Sequence, residues 1–293
     1  MRHLHMHPVL TALLGTLTLV TGALTAPQAS VAATPATPEP VARSYATVGD
    51  PARLAPAAAT VLITGANRGI GLEFVTQLMA RKYNIIATTR SPEDSAELTA
   101  LVAGYPQLVV EELDVTDFAR VDALGEKYAD QPIDLLISNA AITPRYKSAF
   151  RRVDGVDWDM ARQSWEVNAL APLKIAQTFM DSVAASEQKK IVVLSSKAGS
   201  FELGPKMPMF YSYRSSKAAL NMNIYTLSFE TAKRDVIVTL LSPGQVNTTP
   251  GMTMKGNIEP EESVSKMLKV IDGLTPAQNG QFLDYEDGRV LGW

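Results

Sequence analysis

"TVLITGANRGIGLEFVTQLMA", residues 60–80, holds the decisive pattern of this chain. A short run of β-branched and apolar residues ends in Gly65, Gly69 and Gly71. Apolar residues then recur at Ile70, Phe74, Val75, Leu78 and Met79, the spacing of one helix face. Strand, glycine turn and helix follow one another without a break. Glycines let the chain turn tightly and approach a ligand closely, and a helix start offers unpaired N–H groups to a pyrophosphate. Three glycines alone are weak evidence; a strand before them and a helix after them strengthen it. The spacing is G-x-x-x-G-x-G, not the commoner G-x-G-x-x-G.

The same alternation repeats outward from this stretch. "YNIIATTR" (83–90), "QLVVEELDV" (107–115), "IDLLISNAA" (133–141), "KKIVVLSS" (189–196), "DVIVTLLSPG" (235–244) and "GQFLDY" (280–285) read as further strands. Helices are expected from Pro92 to Ala103, over 159–186, and through "YSYRSSKAALNMNIYTLSFETAK" from Tyr211. The expected fold is α/β: a single-domain Rossmann-type doubly wound parallel sheet of about seven strands, helices on both faces, spanning 59–293.

The totals agree with one such domain. The chain has 293 residues, a formal charge of -3 and 46% hydrophobic residues. That mild charge leaves no footprint for nucleic acid. There is no cysteine, and the only histidines are His3, His5 and His7. Disulfides, thiolate chemistry, Ser-His-Asp hydrolysis and His-ligated zinc are therefore excluded from the folded part. Arg2, the uncharged stretch 8–24 and the small residues after it predict a signal peptide over 1–33. An uncleaved leader would be the only membrane contact. Residues 34–58, rich in Pro, Ala and Thr, are expected to form a disordered linker. The leader implies export, periplasmic or extracellular; a cytoplasmic location would follow if the start at residue 1 is wrong.

In doubly wound sheets the ligand lies beyond the carboxyl ends of the strands. Those ends and the glycine turn hold Gly65, Asn67, Arg68, Gly69, Ile70, Gly71, Arg90, Asp114, Val115, Asn139, Ala140, Pro243 and Gly244, the expected cofactor-binding set. The second strand ends in Thr88, Thr89 and Arg90, with no acidic residue to bind a ribose 2′-OH. Arg68 and Arg90 favour a 2′-phosphate, hence NADP(H), with NAD(H) the alternative. Tyr213 and Lys217 fall one turn apart on one helix face. A fixed ammonium there is expected to bring the phenol down toward neutrality, which takes about 4 kcal/mol, so that Tyr213 can exchange a proton with a carbonyl oxygen. A serine ending the fifth strand would hold that oxygen.

With these motifs in order, the chain resembles the short-chain dehydrogenase/reductase family from about Thr60 to Trp293. "TGANRGIG", "LDV", "SNAA", "VNAL", "VLSS", "YSYRSSK" and "SPGQVNT" carry the likeness. The tail "NGQFLDYEDGRVLGW" is similar to that of C-factor-like and sniffer-like carbonyl reductases. The resemblance implies Tyr213 as acid/base, Lys217 as its partner on the nicotinamide ribose, and Ser196 on the substrate oxygen. It implies a water-supporting role for Asn168, adenine contact for Asp114 and sheet support for Asn139. Val246 and Thr248 would hold the carboxamide side of the nicotinamide. It also implies a small-molecule carbonyl or alcohol substrate and a homodimer or homotetramer.

Departures remain. Ala141 stands where the family carries glycine, which predicts a tighter backbone beside the cofactor. Ser196 lies further before Tyr213 than is usual, so the segment between them must loop out, leaving Ser200 as a rival for Ser196 and Tyr211 as a rival for Tyr213. Residues 249–262 read as a lid, with Met252 and Met254, and Met207 and Met209 nearby, as apolar contacts or as core. An exported nucleotide-binding signalling or surface protein, with incidental or no catalysis, is the alternative to an enzyme.

Overall fold

All seven expected strands form one sheet, and an eighth joins its edge. The computed structural model describes residues 44–143, 150, 152–248 and 253–293. The expected signal peptide and the first part of the expected linker lie outside the described residues.

The strands are β1 (Thr47–Val48), β2 (Thr60–Ile63), β3 (Asn84–Thr89), β4 (Leu108–Glu112), β5 (Leu135–Ser138), β6 (Lys190–Leu194), β7 (Ile237–Ser242) and β8 (Phe282–Asp284). Their order is β1-β4-β3-β2-β5-β6-β7-β8. Every pair is parallel except β1 with β4. Central strands covered on both faces read as largely apolar runs, as β2 and β7 do.

Side chains alternate between two cores. Leu62, Ile86, Leu136 and Val193 point into one, packed under α3 (Phe118–Lys127), α5 (Ala171–Ala184) and α6 (Tyr211–Thr231). Val61, Ile63, Ile85, Ile137 and Leu241 point into the other, under α1 (Gly69–Ala80), α2 (Ala96–Gly104) and α7 (Pro260–Asp272). This period of two is the pleat of the strand.

Three expectations need correction. Residues 44–58 do not form a disordered tether: Thr47 and Val48 pair antiparallel with Glu111 and Val110. Their backbone groups find an open sheet edge, and Glu111 supplies the anchor. Its buried carboxylate accepts from Thr47 Oγ1 (2.9 Å), Arg120 (3.1 Å), Lys127 (2.6 Å) and Tyr128 (2.6 Å). The helix expected from Pro92 is a 3-10 turn, Pro92–Asp94, before α2, because the Ser95 hydroxyl turns back to the Ser91 carbonyl at 2.7 Å. The helix expected over 159–186 is two, α4 (Trp158–Trp165) and α5, joined by one π turn, Glu166–Leu170.

Within the expected lid, residues 249–252, Met252 among them, lie outside the described residues. Val246 bridges to Ile258, Asn247 bonds Glu259, and α7 begins at Pro260. Met207 and Met254 are both exposed and do not fill the core.

Candidate active site

The glycine turn is shaped by what cannot fit there. Gly65 has φ +65, and a Cβ on it would come 2.8 Å from the Ala140 Cα. A Cβ on Gly71 would meet the Gly65 carbonyl oxygen at 2.2 Å. Asn139 ties the turn to the sheet: its Nδ2 donates to the Thr64 and Gly65 carbonyls at 2.9 and 2.8 Å. Thr64 Oγ1 in turn accepts from the backbone N–H of Asn139 and Ala140, at 3.0 and 3.1 Å. Arg68, at the N-cap of α1, makes no side-chain cap bond, so the first N–H groups of that helix stay available.

A cavity of about 590 Å³ crosses the carboxyl ends of β2 to β7. Of the expected cofactor residues, Gly65, Asn67, Arg68, Gly69, Ile70, Arg90, Asp114, Val115, Asn139, Ala140, Pro243, Gly244, Val246 and Thr248 line it. Gly71 does not; it lies beneath, where only a missing side chain allows the packing. A cradle that a Cβ would fill, with two arginines at one end, fits a dinucleotide. Asp114 is partly committed, because its Oδ1 accepts from the Thr116 N–H and hydroxyl at 2.9 and 2.7 Å. Ala141 also lines the cavity and is not among the residues of positive φ, so its Cβ brings no backbone strain.

Tyr213 and Lys217 line the same cavity from α6. Lys217 is 3% exposed. Its Nζ donates to the Leu194 carbonyl at 2.8 Å and lies 6.0 Å from the centroid of the Tyr213 ring. Burial pushes its pKa down to about 8. Tyr213 departs from expectation: burial pushes the phenol up, and a side-chain hydrogen bond with Ser196 acts against that. The opposing influence is the serine hydroxyl. A phenol held up is protonated at neutral pH, the form that donates.

Ser196 also accepts from the Ala198 N–H at 3.1 Å, capping a 3-10 turn, Lys197–Gly199. Ser196 does not line the cavity, although its neighbour Ser195 does, and neither rival lines it. The buried Ser200 hydroxyl donates to the Gly292 carbonyl at 2.8 Å, and Tyr211 is exposed and lines no part of the cavity. Asn168 does not line the cavity either. In the π turn, fully buried, its amide bonds both backbone groups of Ile142 (2.8 and 2.9 Å) and Ser216 Oγ (3.0 Å). One extra residue in the helical turn aims that amide inward, as π turns at functional sites often do.

Sequence reasoning missed Gln163, Glu166 and Val167, which line the cavity from α4 and the π turn, and Thr116 and Ser91 at the other end. It also missed the buried Ser195–Asn221 bond. The doubled serine of "VLSS" was the available signal for Ser195; a backbone acceptor such as Leu194 leaves none.

A family model described as short chain dehydrogenase matches residues 59–260. The chain belongs to the short-chain dehydrogenase family. This short-chain dehydrogenase is 32% identical over 249 residues to an uncharacterised oxidoreductase of Schizosaccharomyces pombe, covering 78% of this chain and 96% of that protein. The NADPH-bound carbonyl reductase from chicken fatty liver is 34% identical, with a TM-score of 0.73, covering 80% of this chain and 99% of that one. The carbonyl reductase Sniffer of Drosophila melanogaster is 27% identical, with a TM-score of 0.74, covering 80% and 100%. The short-chain dehydrogenase is thus an oxidoreductase of the carbonyl-reductase-like branch.

Proposed function

We propose that this chain uses NADP(H) to interconvert the carbonyl group of a small apolar molecule and the corresponding alcohol, with Tyr213 as acid/base. The observation that carries the reading is the placement of Tyr213 and Lys217, one helix turn apart, on the wall of a dinucleotide-shaped cavity, with the Lys217 ammonium held on the Leu194 carbonyl. Bound NADPH would supply the hydride. Gly65, Gly69 and the start of α1 would hold its pyrophosphate, and Arg68 and Arg90 its 2′-phosphate. Ser196 orients the substrate oxygen, and Tyr213 gives that oxygen its proton in reduction and takes it back in oxidation. Asn168 fixes the π turn behind them, and a water held there would return the proton through Lys217. The apolar substrate would rest on exposed apolar side chains, of which Met207 and Met254 are the candidates.

The test is fluorescence titration of the full chain with NADPH and NADH, then carbonyl reduction by wild type and Tyr213→Phe. Tight NADPH binding and a loss in turnover of at least about 100-fold in the variant are expected. Wild-type turnover in Tyr213→Phe refutes the assignment. Self-association as a homodimer or homotetramer through α4, α5 and α6 belongs to the same reading, and light scattering checks it. Export rests on the uncharged stretch 8–24, and sequencing the mature N-terminus from fractionated cells checks it.

A further inference from the structure

The tail after β8 folds back onto the turn that carries Ser196. Asp284 N donates to the Arg289 carbonyl and Leu291 N to the Phe282 carbonyl, at 3.0 and 2.7 Å, so the chain reverses beside β8. Gly292 O then accepts the Ser200 hydroxyl at 2.8 Å, and Trp293 O accepts the Glu202 N–H at 3.0 Å. The Trp293 ring stacks on Phe282 at 5.8 Å, which holds the tail to the sheet.

Asp284 makes a further contact, at the residue next to Ser196. Its side chain is 1% exposed, and its Oδ2 lies 2.6 Å from the Lys197 Nζ and 3.3 Å from Arg289. Its Oδ1 accepts from the Glu286 N–H at 3.0 Å. Burial alone would push this carboxyl up, but the Lys197 and Glu286 bonds and the Lys197 and Arg289 charges hold it below its usual value. On the other side the turn rests against the catalytic helix: a Cβ on Gly199 would come 2.7 Å from the Lys217 carbonyl carbon. The Ser196 turn is clamped between the tail and the backbone of Lys217. A buried ion pair is weak evidence for stability, since apolar residues of similar volume often serve as well. Its place, one residue from Ser196, suggests another use.

We propose that Asp284 is a positioning residue for Ser196, fixing through Lys197 the turn that carries the Ser196 hydroxyl. This rests on the reading of Ser196 and Tyr213 given above. Lys197 reaches Asp284 across the start of the tail, so the tail motif becomes part of the catalytic geometry without touching substrate.

The test compares full-chain variants for carbonyl turnover and NADPH affinity. Lys197→Met is expected to lower kcat by roughly 10- to 100-fold, with KM and NADPH affinity nearly unchanged, because a small misplacement of a reacting group is costly. Lys197→Arg restores turnover. Arg289→Met, which loses a contact with the same carboxylate on the solvent side, keeps it. In Ser196→Ala, adding Lys197→Met costs nothing more, since the lysine acts only through the serine. Wild-type turnover in Lys197→Met, or additive losses in the double variant, overturns the proposal. A wild type that binds NADPH but reduces no carbonyl refutes the parent reading instead. The decision then passes to the ultraviolet titration of Tyr213, assigned by difference from Tyr213→Phe. Lys197→Met is expected to shift the phenol upward as Ser196→Ala does, and an unmoved phenol overturns the proposal.

Discussion

The Lys217 ammonium donates to the Leu194 carbonyl oxygen at 2.8 Å, so the last residue of β6 holds the charge that α6 brings to the cavity. The bond sets the lysine 6.0 Å from the centroid of the Tyr213 ring. A strand end and a helix side chain thereby fix each other, and the adjoining Ser195 and Ser196 are presented from the same place.

Burial depresses Lys217 from 10.5 to about 8, which makes stability depend on pH. Between those values the unfolded chain binds a proton that the folded chain does not, so this group's contribution to stability rises with pH. Below about 8 its cost is fully present. Urea unfolding of wild type and Lys217→Met should show the balance moving toward wild type by up to about 3 kcal/mol between pH 7 and 10. A constant difference across that range would disprove the burial argument.

Glu111 is the buried anchor of the sheet edge, holding Arg120, Lys127, Tyr128 and Thr47. Glu111→Ala leaves those donors and two buried or half-buried cations without their carboxylate. A loss of about 3–5 kcal/mol in urea unfolding is expected. NADPH affinity at low temperature should persist, because Glu111 lies outside the cavity lining.

Gly65→Ala combines a left-handed φ of +65 with a Cβ 2.8 Å from the Ala140 backbone. Gly69→Ala has φ +54, but its nearest contact is the Thr248 side chain at 3.3 Å. Isothermal titration should therefore show the larger loss of NADPH affinity in Gly65→Ala. The reverse order would mean that the turn relaxes around the new methyl group.

Much of this architecture was legible because buried parallel strands are written as continuous apolar runs. "TVLI", "NIIATT" and "IVTLLS" are built on such apolar stretches, with buried Asn, Thr or Ser among them, and each became a strand. β1 was not legible: two residues inside a Pro/Ala/Thr-rich stretch have no periodicity, and their pairing depends on Glu111 far along the chain. The π turn was hidden for a similar reason. Its residues continue a helical pattern, and only the bonds of Asn168 to Ile142 and Ser216 explain the inserted residue. In the site, motif order brought Tyr213 and Lys217 to the cavity wall, with Ser195 rather than Ser196 lining it from the strand end, whereas the source of the Tyr213 shift depended on burial, which spacing does not encode.

Arg68 and Arg90 both border the cavity and are exposed. Each charged contact to a phosphate is worth about 1.5–3 kcal/mol, so Arg90→Gln should weaken NADPH binding by about 10- to 100-fold. NADH binding should stay within about twofold, because it lacks the 2′-phosphate. Equal losses for both cofactors in fluorescence titration would place Arg90 on a shared phosphate instead.

β1 also shields its neighbour from other molecules. Without it, β4 would be the rim of the sheet, presenting unpaired N–H and C=O groups along Leu108–Glu112. Such a rim is a template for pairing with a second chain. A protein trimmed to begin at Ala59 would keep every residue of the cavity yet gain a sticky edge. Aggregation on storage, rather than loss of cofactor binding, would be the first sign that those few preceding residues had been removed.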